Sequence, residues 1–488
     1  AQIFAEGTAE QPIIFTSRLD DTNIPDDLEF TDRGIWGGLI ILGNAVIANA
    51  TSETRVEGIP EGESRALFGG TNDEDNSGIL RYVSIRHGGA ELAPGDEING
   101  LTLGAVGSGT VIEHIEVISN ADDGIEFFGG TVGVKYATVA FCGDDAFDWD
   151  LGYRGKGQFW FALLGENDGD NAGELDGAGG SDDNEPHSSP NIFNATFIGA
   201  GCDGVASNAT ATYFRDGGGG KFQNSIFTQF IHALEVEDKG GVDSRQRLEE
   251  GSLVLENNLW WGFCNGTELN GGTNGIIRPT SGAEDVQWLV DYLTGAGNTL
   301  EDPELSIAYD VSGNLDPRPG MAAMASANED LTSVPDDNFY TPVCFKGAFL
   351  PNVAGNDDVI WLEGWTALSE YGALNPTLDF ANPETVDNCL VGVEEFELVD
   401  KGYILTQNVP NPFGSITEIT FTLPQKDVVT LAVYDMTGRQ IARLIDAEEQ
   451  LEGTYKVEFN GSNLPNGLYY YNLTTQHVSL TKELVIVK

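Results

Sequence analysis

A repeat constrains this chain more than any other feature. The run Ile115-Glu-Val-Ile-Ser-Asn-Ala-Asp-Asp-Gly-Ile-Glu-Phe127 lies over Ala137-Thr-Val-Ala-Phe-Cys-Gly-Asp-Asp-Ala-Phe-Asp-Trp149, so Asp122, Asp123 and Glu126 recur as Asp144, Asp145 and Asp148 at an offset of 22. Weaker copies start at Ala195 and Ser225. A unit of this length cannot enclose its own core. It is stable only when stacked, each turn burying its apolar face on the next, which defines a solenoid.

The local pattern says which solenoid. Short β-branched or aromatic runs (Arg81–Arg86, Thr110–Val117, Val132–Val139) are separated by Gly, Asn and Asp clusters, and no amphipathic helix interrupts the first 235 residues. Gly is 62 of 488 residues, nearly twice the usual ~7%, as expected of a chain that turns often. Three short strands per turn without crossover helices predict an all-β fold, a parallel β-helix over residues 1–280. The departures from the 22-residue spacing place insertions at corners, the largest at 164–190.

Beyond residue 281 the texture changes. Ala283–Leu293 has helical spacing, with acidic residues at its start and Gly295 past its end. The rest of 281–396 is irregular and is expected to wrap the solenoid, with Trp361 and Trp365 as packing anchors. Alternating runs then recur from Ile416 to Val487, predicting a small Ig-like β-sandwich over 397–488.

Charge limits the partners. With 24 Lys+Arg against 77 Asp+Glu the chain carries a formal −53, which excludes nucleic acid and anionic lipid as natural ligands and leaves cations and neutral polymers. The excess is local: residues 398–488 carry −3 and the remainder −50. No apolar run reaches the length of a membrane-spanning helix. The start at Ala1-Gln2-Ile3-Phe4 has no export signal, which is expected to have been removed. The five cysteines form no Cys-x-x-Cys pair, so zinc is not expected; a Cys344–Cys389 bridge and buried thiols are the alternatives.

Two resemblances follow from particular motifs. Asn408-Val-Pro-Asn-Pro-Phe413, Val433-Tyr-Asp-Met-Thr-Gly-Arg439, Leu464-Pro-Asn-Gly-Leu-Tyr-Tyr470 and the closing Thr481-Lys-Glu-Leu-Val-Ile-Val-Lys488 resemble the C-terminal (Por) sorting domain of Bacteroidetes type IX secretion cargo. That implies recognition by the type IX machinery through residues 397–488 and an outer-surface or extracellular destination. Arg33-Gly-Ile-Trp-Gly-Gly-Leu-Ile-Ile-Leu-Gly43, Tyr82-Val-Ser-Ile-Arg-His-Gly-Gly89, Glu97-Ile-Asn-Gly-Leu-Thr-Leu103 and Asp123-Gly-Ile-Glu-Phe-Phe-Gly-Gly130 resemble large secreted right-handed β-helix proteins that carry such tails.

The chemistry centres on the repeated acids. Residues one coil apart stack about 4.8 Å apart, which sets Asp122, Asp123 and Glu126 against Asp144, Asp145 and Asp148. Carboxylates this close raise each other's pKa, and a hard cation such as Ca2+, which takes six to eight oxygens, relieves the repulsion. The competing structural role is acceptance of turn amides. Glu166-Asn-Asp168-Gly-Asp170-Asn171, with Glu174 and Asp176, is a second acidic constellation with Ca2+-like character, although it lacks the EF-hand pattern. Asp182, Asp183, Glu185 and His187 follow in the same insertion.

Asn120-Ala-Asp122 with Gly143-Asp144-Asp145 is also similar to the carboxylate spacing of polygalacturonase-type hydrolases. That makes Asp122, Asp144 and Asp145 catalytic candidates, with Arg154 as the base of a Ca2+-dependent lyase variant. The family's Gly-His-Gly does not appear downstream, and Cys202 and Asp203 stand where the next turn's site residues are expected. His87 and His114 read as hydrogen-bonded structural residues; the pairs Trp149/Trp160, Trp260/Trp261 and Phe127/Phe128 offer a sugar-stacking face, although strand alternation makes half of each pair internal and favours core packing. Two classes therefore compete: a structural or adhesive, self-associating surface protein that binds Ca2+ and neutral polysaccharide, and a polysaccharide-active enzyme. The charge favours the first.

Overall fold

The computed structural model describes the chain apart from residues 25–26, 57–58, 61, 93–97, 167–168, 179–180, 182, 203–209, 273, 282–284, 324–330, 353–358, 381–402, 407, 409, 436–438, 476 and 478. It divides into two compact units, Ala1–Val386 and Asp387–Lys488.

The first unit is a parallel β-helix. A long-strand sheet stacks Gly78–Arg86, Val111–Ile118, Gly133–Ala140, Lys156–Leu163 and Asn191–Ile198, with Ile3–Glu6 and Ile13–Phe15 at its start and Leu253–Glu256 and Leu259–Trp261 at its far end. A short-strand sheet stacks Leu39–Leu42, Leu101–Gly104, Ile125–Phe128, Phe147–Asp150, Gly173–Asp176, Thr210–Arg215 and His232–Val236. The 22-residue offset is the coil register, since Ile115 lies opposite Ala137 and Ile125 opposite Phe147. The weaker copies are in register too, with Thr196 opposite Ile226.

Each long strand is two strands in one. Tyr82, His114, Tyr136, Phe159 and Asn194 sit mid-strand at φ between 49° and 58°, and these single left-handed residues bend the sheet, giving the coil the three sides expected. A left-handed conformation costs a non-glycine residue roughly 1–2 kcal/mol. Stacking offsets it: the rings of Tyr82, His114, Tyr136 and Phe159 follow one another at centroid distances of 4.2, 4.3 and 4.9 Å, each pair contributing about 0.5–1.5 kcal/mol beyond burial. His114 is thus the structural residue anticipated.

The irregular segment closes over this aromatic column. Trp361 meets Tyr136 edge-on at 5.4 Å, Trp365 meets Tyr82 at 5.5 Å, and both tryptophans are 1% exposed, the anchors expected of them. Polar clasps fix the contact. The fully buried Glu116 accepts from the Ser84 hydroxyl at 2.5 Å and the Ala367 amide at 2.8 Å, capping the helix Ala367–Glu370, and Arg86 pairs with Glu370 at 2.7 Å.

Three details differ from the sequence expectation. The helix runs Gln287–Gly295, four residues later than its predicted start, and buries Leu289 and Leu293. A second helix, Ser244–Glu250, is capped by the Asp243 side chain and by Gly251 at φ 80°; these caps are visible in the sequence, but the surrounding strand texture hid them. The disulfide among the described residues joins Cys202 to Cys264, 62 positions apart, which no sequence spacing signalled. Cys142 is a buried thiol, pushed up to about 12 by burial, and Cys389 lies outside the described residues.

The second unit is an antiparallel sandwich. Ile404–Leu405, Ile416–Leu423 and Gly453–Asn460 form one sheet; Gln440–Gln450, Asp427–Asp435, Gly467–Thr474 and Ser479–Ile486 form the other. Ile419, Phe421, Leu431, Val433 and Leu473 fill the core. No helix among the described residues is long and apolar enough to cross a membrane.

Truncating Trp361 to Ala should lower the unfolding free energy of the full chain by about 3–5 kcal/mol in urea titration. A loss under about 1 kcal/mol would show that the wrapping segment does not close the aromatic column.

Candidate functional site

Two successive corners build the acidic site. The corner between Val111–Ile118 and Ile125–Phe128 carries Asn120, Asp122 and Asp123; the corner between Gly133–Ala140 and Phe147–Asp150 carries Gly143, Asp144 and Asp145. Gly143 is required because a Cβ there would approach the Ala121 carbonyl oxygen of the coil below to 2.1 Å. Strand alternation then sends Ile125, Phe127, Phe147 and Trp149 inward and Glu126 and Asp148 outward.

The carboxylates meet as the repeat predicts. Asp122, Asp123 and Asp144 place ligand atoms within 4.8 Å of one another; so do Asp123, Glu126 and Asp148, and likewise Asp144, Asp145 and Asp170. A fourth set, Asp145, Asp148 and Glu174, joins the second acidic constellation to the first. Asp168 lies outside the described residues, as do Asp182 and Asp203.

The acceptance of turn amides anticipated for these acids is seen directly. Asp123 Oδ1 accepts the Asp145 amide at 3.0 Å and Asp145 Oδ1 accepts the Asn171 amide at 2.5 Å, so one oxygen of each secures the next corner. Asn99 donates its side-chain amide to Glu126. Asp148 Oδ1 is buried with no hydrogen-bond partner among the described residues.

The electrostatic cost is concentrated here. Burial, then repulsion from Asp122 and Asp144, pushes the Asp123 carboxyl well above the usual range. Burial, then Asp123 and Glu174, does the same to Asp145, and burial, then Glu126, to Asp148. Arg215 enters at one end, pairing with Asp176 at 2.7 Å and also with Glu174. Even so, burial raises Asp176 to about 7.

The basic candidate stands elsewhere. Arg154 occupies the corner after Phe147–Asp150, where its guanidinium holds Asp73 at 2.9 and 3.1 Å and the Val46 carbonyl at 3.2 Å. Asp144 and Asp145 lie in the corner before that strand, so the two sets occupy opposite ends of it. Lys156 pairs with Asp337 at 2.6 Å. Trp149, Trp160, Trp260 and Phe127 are fully buried, as core.

Sequence reasoning did not extend the rows to Glu174, Asp176 and Arg215. Glu174 lies opposite Asp148 across an offset of 26 rather than 22, because both intervening corners are longer. The signal was present as Gly173-Glu-Leu-Asp176, which repeats the outward acids of Phe147-Asp-Trp-Asp150.

Residues 1–276 match the family model described as a pectate-lyase-like β-helix domain, and residues 409–487 match the secretion system C-terminal sorting domain. No curated protein matches the chain. The sorting tail directs the protein through its secretion machinery to the cell surface or the extracellular space, an oxidising setting in which a disulfide such as Cys202–Cys264 persists. With the first match spanning more than half of the chain, the protein belongs to the pectate-lyase-like β-helix family, in a form that carries a type IX secretion sorting tail.

Proposed function

We propose that this secreted chain is a structural or adhesive surface protein whose stacked carboxylates take up Ca2+. The observation that carries the reading is the set of four overlapping acidic triplets, each within 4.8 Å, spread over adjacent coils. Its donors are all carboxylate oxygens in an irregular array, which suits Ca2+ better than the strict octahedron of Mg2+ or the N/S ligands of zinc. The partnerless Asp148 Oδ1 is a ready ligand atom.

The same reading includes self-association. Ile3–Glu6 ends the long-strand sheet, pairing with Gly78–Arg86 on one side and with no other strand among the described residues, and its own Phe4 is 64% exposed. An open edge of this kind accepts a further strand, and a heterologous contact there would build a filament. The far end is covered, by the helix Gln287–Gly295 and the Leu259–Thr299 bridge.

A second reading, a polysaccharide-active enzyme, is favoured by the family's own description. It needs Asp122, Asp144 and Asp145 as the acid–base set. Arg154, committed to Asp73, is not beside them.

Three outcomes test these readings. Carboxyls whose pKa is raised on folding bind more protons in the native than in the unfolded chain, so metal-free stability falls as pH rises from about 4 through about 7, where Asp176 titrates. Ca2+ offsets that loss, and the rise in Tm on adding Ca2+ should grow across this window, reaching several degrees at pH 8; a shift equal at pH 5 and 8, or none, removes the Ca2+ reading. Light scattering with Ca2+ should detect particles larger than the monomer, and monomers alone would end the filament reading. Reducing-sugar or unsaturated-uronate release from a polysaccharide panel should not exceed that of Asp145→Ala; clear release above that variant would favour the enzyme.

A further inference from the structure

A groove of about 520 Å³ lies on the outer face of the long-strand sheet, away from the short-strand sheet that carries Glu126, Asp148 and Glu174. Val111, Gly133 and Lys156 occupy one register row across three coils, and the loop around Phe339 bounds it. Val111 is 36% exposed.

The loop that carries Phe339 is tied down from several sides, and its ring meets that of Tyr340 edge-on at 5.0 Å. Asp337 Oδ1 accepts the amides of Phe339 at 2.9 Å and Tyr340 at 3.2 Å, while its Oδ2 takes the Lys156 ammonium at 2.6 Å. The Tyr340 hydroxyl donates to the Asn191 carbonyl at 2.6 Å, tying the loop to the sheet. Gly133 makes room, since a Cβ there would come within 2.6 Å of the Phe339 ring. A partly exposed aromatic ring fixed in this way is a preorganised contact surface.

The charge around it differs from that of the chain. Two cations, Lys135 and Lys156, and two anions, Glu113 and Asp337, line the groove; Lys156 pairs with Asp337, Glu113 with Arg81 outside the lining, and Lys135 donates to the Thr341 hydroxyl at 2.6 Å. In a protein of −53 this groove is locally neutral. A ring beside a rim of hydrogen-bond donors and acceptors of both signs suits a ligand with apolar C–H faces and many hydroxyls.

We propose that this groove binds a neutral glycan segment, with a sugar face on Phe339 and its hydroxyls on Lys135, Lys156 and Glu113. The proposal deepens the adhesive reading by giving it a ligand class and rests on that reading, but it uses a different sheet from the proposed Ca2+ site, so the two fail separately. The test is calorimetric titration of the full chain with cellohexaose, laminarihexaose and mannohexaose, and with a galacturonate hexamer as the anionic comparison. At least one neutral hexamer should bind with a Kd below about 1 mM. Phe339→Ala should weaken it about tenfold, and so should Gly133→Val, which displaces the ring, with Tm measured on both to confirm folding. Binding should persist in EDTA and in Asp145→Asn. The proposal is overturned if no neutral hexamer binds, if the galacturonate binds more tightly, if folded Phe339→Ala binds unchanged, or if EDTA abolishes binding and so moves the ligand to the acidic rows.

Discussion

Coil-on-coil stacking at about 4.8 Å is the constraint from which the rest of this structure follows. It places each residue beside its counterpart in the next turn, so a repeated sequence sets like upon like. Inside, that is favourable: Val117, Val139, Ala162 and Phe197 form a buried file. At the bend of the long strands it is favourable again, because stacked rings offset the left-handed backbone beneath them. On the outer face of the short-strand sheet the same rule sets acid upon acid, and there it works against the fold unless protons, Arg215 or a cation intervene.

The irregular segment is the complement of the solenoid. A β-helix side lined with aromatic rings is a large apolar surface, and the described residues between 305 and 378 that pack on it do so with few regular elements. Their order comes from long-range anchors instead: two tryptophans on the ring column, Glu116 capping a helix from below, and Arg86 held by Glu370. Burial raises the Glu116 carboxyl despite Arg86 and its amide donors, so this clasp is a specific lock whose polar members depend on one another.

Charge is distributed by task. Residues 398–488 stay near balance at −3, whereas the rest of the chain carries −50 of the −53. Part of that excess is ordinary solvated surface. The part in the stacked rows is not, because Asp123, Asp145 and Asp148 are pushed well above the usual carboxyl range by burial and by each other. The groove at Phe339 is the counterexample within the same unit, lined by two cations and two anions.

How much was legible in the sequence follows from the range of each interaction. The repeat, the strand texture and the turn glycines are local, and they determined the β-helix, its register from Ile115 to Trp149, the sandwich, and the identity of the stacked acids. The inclusion of Glu174 needed the lengths of two corners, which shift the offset from 22 to 23 and then to 26 without disturbing strand pairing. Tertiary structure alone decided that Arg154 belongs to Asp73, that Cys202 meets Cys264, and that Phe339 lies over Gly133. Each of these joins segments many residues apart through side chains whose partners carry no periodic mark, whereas a stacked repeat writes its neighbour into its own spacing.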